Sequence, residues 1–277
     1  GTGTPEPVYI MWTGREVCSP EITPAEADGF GAPLKRKPFV WDNYPVNDYD
    51  RNRLMMGPVR ARPPDLYHHL SGLVSNPMNE GEASKVALLT YADYLWNPQA
   101  YAPEDSWQSA LTHLAGESEA RALLSNFCQL TQSSFLWAQE APELKDQLHD
   151  FWKGHQAGGA TASQAAEELR HHLQNLHDLD HRLAQELPNP ALYRDLAPYL
   201  FKLSLAAEAG KLALDLLGAW GEPSQSPPGG DQPAQGPLAK QLRRKTEATL
   251  ANLQGLPQKI AAGLLEQFVA RTLQIAR

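Results

Sequence analysis

The segment from Phe39 to Tyr49 reads FVWDNYPVNDY, an apolar run that spills directly into Asp42, Asn43, Tyr44, Pro45, Val46, Asn47 and Asp48. Amides, carboxylates and aromatic rings in one short stretch are the groups a sugar site uses. A ring stacks on the C–H face of a pyranose, while carboxylate and amide oxygens accept hydrogen bonds from paired hydroxyls. Two other stretches repeat the pattern: Met11-Trp12 runs into Thr13-Gly14, and Leu73-Val74-Ser75 runs into Asn76-Pro77-Met78-Asn79. Pro45 and Pro77 stiffen these segments and lower the entropic cost of holding their polar groups in place. Taken one at a time, the same residues have plainer uses. Trp41 fits a core position, an asparagine after a strand fits a turn, Thr13 and Val17 fit packing, and Asp48 fits the cap of a helical turn from Tyr49 to Leu54.

The elements that must position these groups are short strands about 30 residues apart, the length of a βα unit. Val8 to Trp12, Phe39 to Trp41 and Gly72 to Ser75 are the strand-like runs. Thr23 before Pro24 supplies a helix N-cap and first position, Pro63-Pro64 opens a short helix, and Glu82 to Trp96 carries apolar residues at helical spacing. The order is β-α-β-α-β-α. Three parallel strands leave both sheet edges unpaired, so this segment reads as incomplete. Polar residues just past the carboxyl ends of parallel strands mark the ligand side of α/β folds.

From Pro103 onward the pattern is helical. ESEARALLSNFCQL, APELKDQLHDFW, TASQAAEELRHHLQNLHDLDHRLAQEL and ALYRDLAPYLFKLSLAAEAGKLALDLLGAW each place apolar residues every three or four positions, which predicts an antiparallel bundle. Breaks fall at 154–159 and at Pro188-Asn189-Pro190, and Pro198 kinks or opens a turn in the last helix. Residues 221–236, GEPSQSPPGGDQPAQG, have almost nothing to bury and read as a linker. One further helix, or two broken near Pro257, closes the chain.

Composition narrows the function classes. The 277 residues carry a formal net charge of −8, which argues against nucleic acid as a partner. No apolar run approaches the roughly 18 residues that span a bilayer, and GTGTPEP has neither a basic start nor an apolar stretch, so the chain reads as soluble with no membrane partner. Cys18 and Cys128 are too few for a disulfide framework or a thiolate zinc site, and both fit buried thiols. His172, His177 and His181 lie on one predicted helix, where a solvated charged face is the favoured reading and a shared metal the weaker one. Lys85 fits an ion pair with Glu82. No metal or cofactor is expected.

WDNYPVNDYDRNRLMMGPVRARPPDL, LSGLVSNPMNEGEASKVALLTYADYLWN and MWTGREVCSP together resemble the carboxyl-terminal part of the catalytic barrel of family-84 glycoside hydrolases. These are the β-N-acetylglucosaminidases that include protein O-GlcNAcases and bacterial hyaluronidase-like enzymes. The resemblance runs from about residue 8 to about residue 98. It implies an α/β plus all-α fold, the last three βα units of a (β/α)8 barrel followed by a helical bundle. The expected domains are 1–100 for the barrel part, 101–220 for the bundle, 221–236 for the linker and 237–277 for a terminal helical segment.

By position the resemblance also implies roles. Asp48 corresponds to the carboxylate that grips the outer hydroxyls of the terminal sugar, and Asn76 to an amide in the same network. Asn43 corresponds to an amide beside the N-acetyl group, while Trp41, Thr13 and Val17 correspond to the pocket for the acetamido methyl. The implied reaction is retaining hydrolysis in which the substrate's own acetamido oxygen attacks the anomeric carbon. The two adjacent aspartates that drive it in the family have no counterpart here, because the sequence contains no Asp-Asp pair. Glu104-Asp105 follows a proline outside the barrel segment and fits a helix start. The first five strands, with the acid pair, are expected upstream of Gly1 or on another chain. The expected partners are an N-acetylglucosamine-containing glycan or glycoprotein and the amino-terminal half of the barrel. Two other readings stay open: a helical interaction protein with a structural barrel remnant, and a sugar binder without catalysis.

Overall fold

The computed structural model describes residues 8–220 and 236–276. The chain divides into two compact units, Gly1–Glu140 with Leu187–Asp195, and Ala141–Glu186 with Leu196–Arg277.

The first unit holds a parallel sheet in the order β1 (Met11–Trp12), β2 (Phe39–Asp42), β3 (Gly72–Ser75). Met11 pairs with Phe39, Trp12 and Leu73 flank Val40, and Asp42 pairs with Ser75. Side chains alternate across a strand, so Trp12, Val40, Leu73 and Asp42 share one face. That face is covered. Val40 is fully buried in a cluster with Ile22, Ala27 and Leu66, against which Trp12, Leu70 and Leu73 pack. The opposite face carries Met11, Trp41 and Val74, all exposed. At Gly72 on that face an added Cβ would lie 2.4 Å from the Phe39 ring, which would have to move.

Helix α1 (Pro24–Leu34) follows β1 and starts as the sequence predicts. The Thr23 hydroxyl accepts the Glu26 backbone N–H, the Glu26 carboxylate accepts the Thr23 N–H, and Pro24 stands at the first turn, a reciprocal cap. Between β2 and β3 the expected helix is only a 3-10 turn, Leu66–His69. The chain before it instead forms a long loop packed through Tyr44, Leu54, Met55, Met56 and Val59, all buried. Tyr44 and Pro45 are joined by a cis peptide bond. Helix α2 (Gly81–Trp96) follows β3, and its first N–H groups, those of Glu82 and Ala83, donate to the Asp195 carboxylate. Lys85 pairs with Glu82, as its spacing predicts. Helices α3 (Pro103–Ala115) and α4 (Glu119–Gln129) complete this unit. The first run is shorter than read from sequence, because Val8 and Tyr9 are exposed before the strand begins.

The second unit is helical. Helices α5 (Pro142–Ala157) and α6 (Gly159–Glu186) are separated by Gly158 alone, whose φ of 72° suits the reversal. Helix α7 (Pro190–Trp220) contains Pro198, and α8 (Pro237–Gln254) and α9 (Leu264–Ile275) flank a 3-10 turn at Ala261–Gly263. Leu169, Leu173, Leu176, Leu179 and Leu183 of α6 form the buried stripe. α6 runs antiparallel to α7, with Arg170 on Asp215, Gln174 on Lys211 and His177 on Ser204. The linker expected over 221–236 lies, apart from Gly236, outside the described residues. Among the described residues no helix is long and apolar enough to cross a membrane.

Candidate functional site

Where β1, β2 and β3 end, their loops meet over the open face of the sheet. Trp41 and Asn43 share that face by alternation, and with Met11, Trp12 and Thr13 they line a cleft of about 410 Å³. Asn43 is the hub. Its side-chain oxygen accepts from the Trp41 indole N–H at 2.9 Å and from the Asn76 amide at 3.0 Å. Its amide nitrogen donates to the Val17 carbonyl at 2.7 Å. One buried amide therefore ties together all three loops, and both of its oxygen lone pairs are engaged. One of its two N–H groups goes to Val17.

The loop after β1 is folded tightly on itself. Gly14 has a φ of 95°, and a Cβ there would lie 2.1 Å from the Ser19 hydroxyl oxygen. Thr13 and Ser19 both donate to the Glu16 carbonyl. This presents Val17 with its carbonyl toward Asn43 and its side chain 73% exposed. Of the six residues singled out in the sequence, Thr13, Trp41 and Asn43 line one cleft, and Val17 and Asn76 join them through Asn43. Asp48 stands apart: it is exposed, and no hydrogen bond among the described residues links it to the other five. Its charge reaches the nearby Cys18 thiol, which burial first and Asp48 second push up. Cys18 is half-buried, Cys128 fully buried, and both are free.

Two buried residues of the chain between β2 and β3 were not singled out in the sequence. Asn47 is fully buried. It accepts the Asn79 N–H and donates to the Arg53 carbonyl and the Glu80 carboxylate, so it holds the β2 loop to the β3 loop. The other is Arg62. Its Nε and Nη2 donate to the two Asp42 carboxylate oxygens, each at 2.7 Å. Asp42 and Arg62 are 1% and 6% exposed. Burial works against the guanidinium charge, and the Asp42 hydrogen bonds and charge together outweigh it, so the Arg62 pKa is raised. Tyr91 is buried beside the same pair. Burial and then the Asp42 charge hold it well above the usual phenol range. A signal for this arrangement did exist. Val40 must face the helices, so Asp42, two residues on, shares that buried face and needs a cation.

On α6, His177 is hydrogen-bonded to the Ser204 hydroxyl at 3.0 Å and His181 is exposed. Among the described residues no group of three His, Cys, Asp or Glu side chains is placed to hold a metal ion.

Two family models match the chain. Residues 1–129 match a β-N-acetylglucosaminidase model, and residues 143–269 match a hyaluronidase post-catalytic domain-like model. The chain is similar to the protein O-GlcNAcases of Rattus norvegicus and Mus musculus, at 39% identity over 87 residues, which are 31% of this chain and 10% of each of those proteins. Among solved structures, it is similar to a mutant of the Thermobaculum terrenum O-GlcNAc hydrolase, with a TM-score of 0.84 at 26% identity over 96% of this chain and 55% of that one. It is also similar to CpGH84B, with a TM-score of 0.77 at 27% identity over 96% of this chain and 45% of that one. The chain thus spans a tenth of the curated relatives and about half of the solved chains.

Proposed function

We propose, from its similarity to the β-N-acetylglucosaminidase and hyaluronidase post-catalytic domain-like models, that the chain belongs to the family-84 β-N-acetylglucosaminidases and that its first unit carries part of a subsite for a terminal N-acetylglucosamine. The observation that carries this reading is that Thr13, Trp41 and Asn43 line one cleft at the strand ends, with Asn76 and the Val17 carbonyl hydrogen-bonded to Asn43. An indole edge, a threonine methyl and an amide N–H suit an acetamido group, whose methyl is apolar and whose oxygen accepts. Asp48, exposed on the β2 loop, grips sugar hydroxyls together with Asn76. The substrate is a glycan or glycoprotein that ends in β-linked N-acetylglucosamine.

Within this proposal the sheet is the last part of a (β/α)8 barrel and the second unit is the helical domain that follows it. The exposed apolar face formed by Met11, Trp41 and Val74 supports that reading, since parallel sheets are ordinarily covered on both faces. The reaction is retaining hydrolysis assisted by the substrate's acetamido oxygen. It needs one acid to polarise the acetamido nitrogen and another to protonate the leaving oxygen and then activate water. No pair of adjacent aspartates occurs in this sequence, so both acids come from a polypeptide carrying the remaining strands. No cofactor takes part.

The test is hydrolysis of 4-nitrophenyl N-acetyl-β-glucosaminide by this chain, alone and mixed with a polypeptide that carries the complementary strands and an Asp-Asp pair. Turnover only in the mixture is expected. Turnover by the chain alone contradicts the assignment of the acids, and no turnover in either case, with no N-acetylglucosamine binding, overturns the subsite.

A further inference from the structure

We propose that Arg62 is a positioning residue for the cleft: through Asp42 and the carbonyls of Ser19 and Pro20 it sets the orientation of the Asn43 amide. The proposal rests on the sugar-subsite reading for its consequence and on geometry alone for its mechanism.

Asp42 and Asn43 are neighbours at the end of β2 and point to opposite sides of the sheet. Asn43 faces the cleft and Asp42 faces the helices. Each touches both flanking loops, so the strand ends are tied in two layers. In the upper layer Asn43 joins Val17, Trp41 and Asn76. In the lower layer the Asp42 carbonyl accepts the Asn76 N–H at 2.9 Å, and the Asp42 carboxylate grips Arg62. Arg62 then reaches the β1 loop, donating from Nη2 to the Ser19 carbonyl at 3.1 Å and from Nη1 to the Pro20 carbonyl at 3.3 Å. Nη1 also donates to Ala61 at 3.1 Å. A guanidinium has five N–H groups, and here all five are engaged.

The geometry has a direct consequence for Asn43. Its amide has three partners, and two of them fix which end is the donor: the Val17 carbonyl can only accept, from the nitrogen end, and the Trp41 indole can only donate, to the oxygen end. Val17 lies two residues before Ser19, on the loop that Arg62 holds. If that loop drifts away, the Asn43 amide nitrogen loses its acceptor and the side chain is held through its oxygen end alone. Supporting groups of this kind hold a site within the few tenths of an ångström that recognition requires.

Lysine separates the two duties of Arg62. It keeps a positive charge for Asp42, yet a single ammonium cannot bridge a carboxylate and two carbonyls in a fixed fork. In the full-length chain with Arg62→Lys, the proposal expects displaced NMR signals for the Trp41 indole N–H and the Asn43 side-chain amide without any ligand. It also expects affinity for N-acetylglucosamine to fall about tenfold, the worth of one or two lost hydrogen bonds, with weak binding of glucose unchanged. Asp42→Asn keeps one acceptor for Arg62 and should move the same signals less, which provides the reading if Arg62→Lys does not fold. A folded variant whose Trp41 and Asn43 signals stay in place overturns the proposal, even if its melting temperature drops. Displaced signals in a protein that never bound N-acetylglucosamine uphold the positioning and sink the sugar reading instead.

Discussion

The two units bury different things. The helical unit hides leucines: Leu169, Leu173, Leu176, Leu179 and Leu183 form one stripe on α6, and its buried cation, Lys202, is held by the Leu256 carbonyl and Glu266. The sheet unit hides polarity at its strand ends, with Asp42, Asn43, Asn47 and Arg62 all buried within one stretch of chain. Burying charge and amides is costly unless every group finds a partner, so a fold tolerates it mainly where the polar groups set a geometry. The leucine stripe provides stability without specifying a site. The strand ends do the reverse.

The contrast is broken most sharply by removing Arg62. Arg62→Ala leaves Asp42 buried without a cation and should destabilise the sheet unit by about 3–5 kcal/mol, measured by urea unfolding followed through tryptophan fluorescence. Replacing Asp42 as well, with an apolar residue of similar volume, should recover much of that loss. If the single variant costs no more than a surface substitution, the polar layer is not part of the framework. Next in size is Leu173→Ala on α6, expected to cost about 3 kcal/mol as a cavity in a leucine core while N-acetylglucosamine binding to the folded protein stays the same.

Asp48→Ala sharpens the comparison from the other side. This exposed residue should change stability by less than about 0.5 kcal/mol and weaken sugar binding about tenfold, read by titration calorimetry. Equal affinity in this variant removes Asp48 from the subsite. The smallest effect is in the helical unit. Burial, opposed by Glu143 and assisted by His171, holds the His172 imidazole below the usual histidine range, beside Gln147, Glu167 and Glu168. The folded protein binds this proton less tightly than the unfolded chain, so stability rises with pH. The contribution is full above about pH 6.5 and is lost as the pH falls through the depressed folded value. His172→Gln should flatten the melting temperature between about pH 7 and pH 5, and an unchanged slope would remove His172 as its source.

The sequence made the elements legible where local chemistry governs them. Thr23, Pro24 and Glu26 write the start of α1, and the spacing of leucines writes α6. Helix α3 was read only from its start, Pro103 and the acids after it, although Trp107, Ala110, Leu111 and Ala115 fall at the spacing that marks a helical stripe. The 3-10 turn at Leu66–His69 was overread as a helix, since two prolines start a turn without sustaining one. At the strand ends, Trp41, Asn43 and Asn76 were visible by type and position. The partnership of Asp42 with Arg62 was not, because they stand 20 positions apart across a loop and no periodicity spans a loop. Only the phase of β2 pointed to it.

That phase also limits how this stretch can change over time. Trading one side chain for another between Phe39 and Asn43 leaves the two sides of the ribbon intact. Gaining or losing a single residue there would rotate everything after it by half a turn, sending the acid up to the solvent and the amide down among the helices. Variation in strand β2 is therefore expected to proceed through replacements, with insertions and deletions confined to the loops on either side.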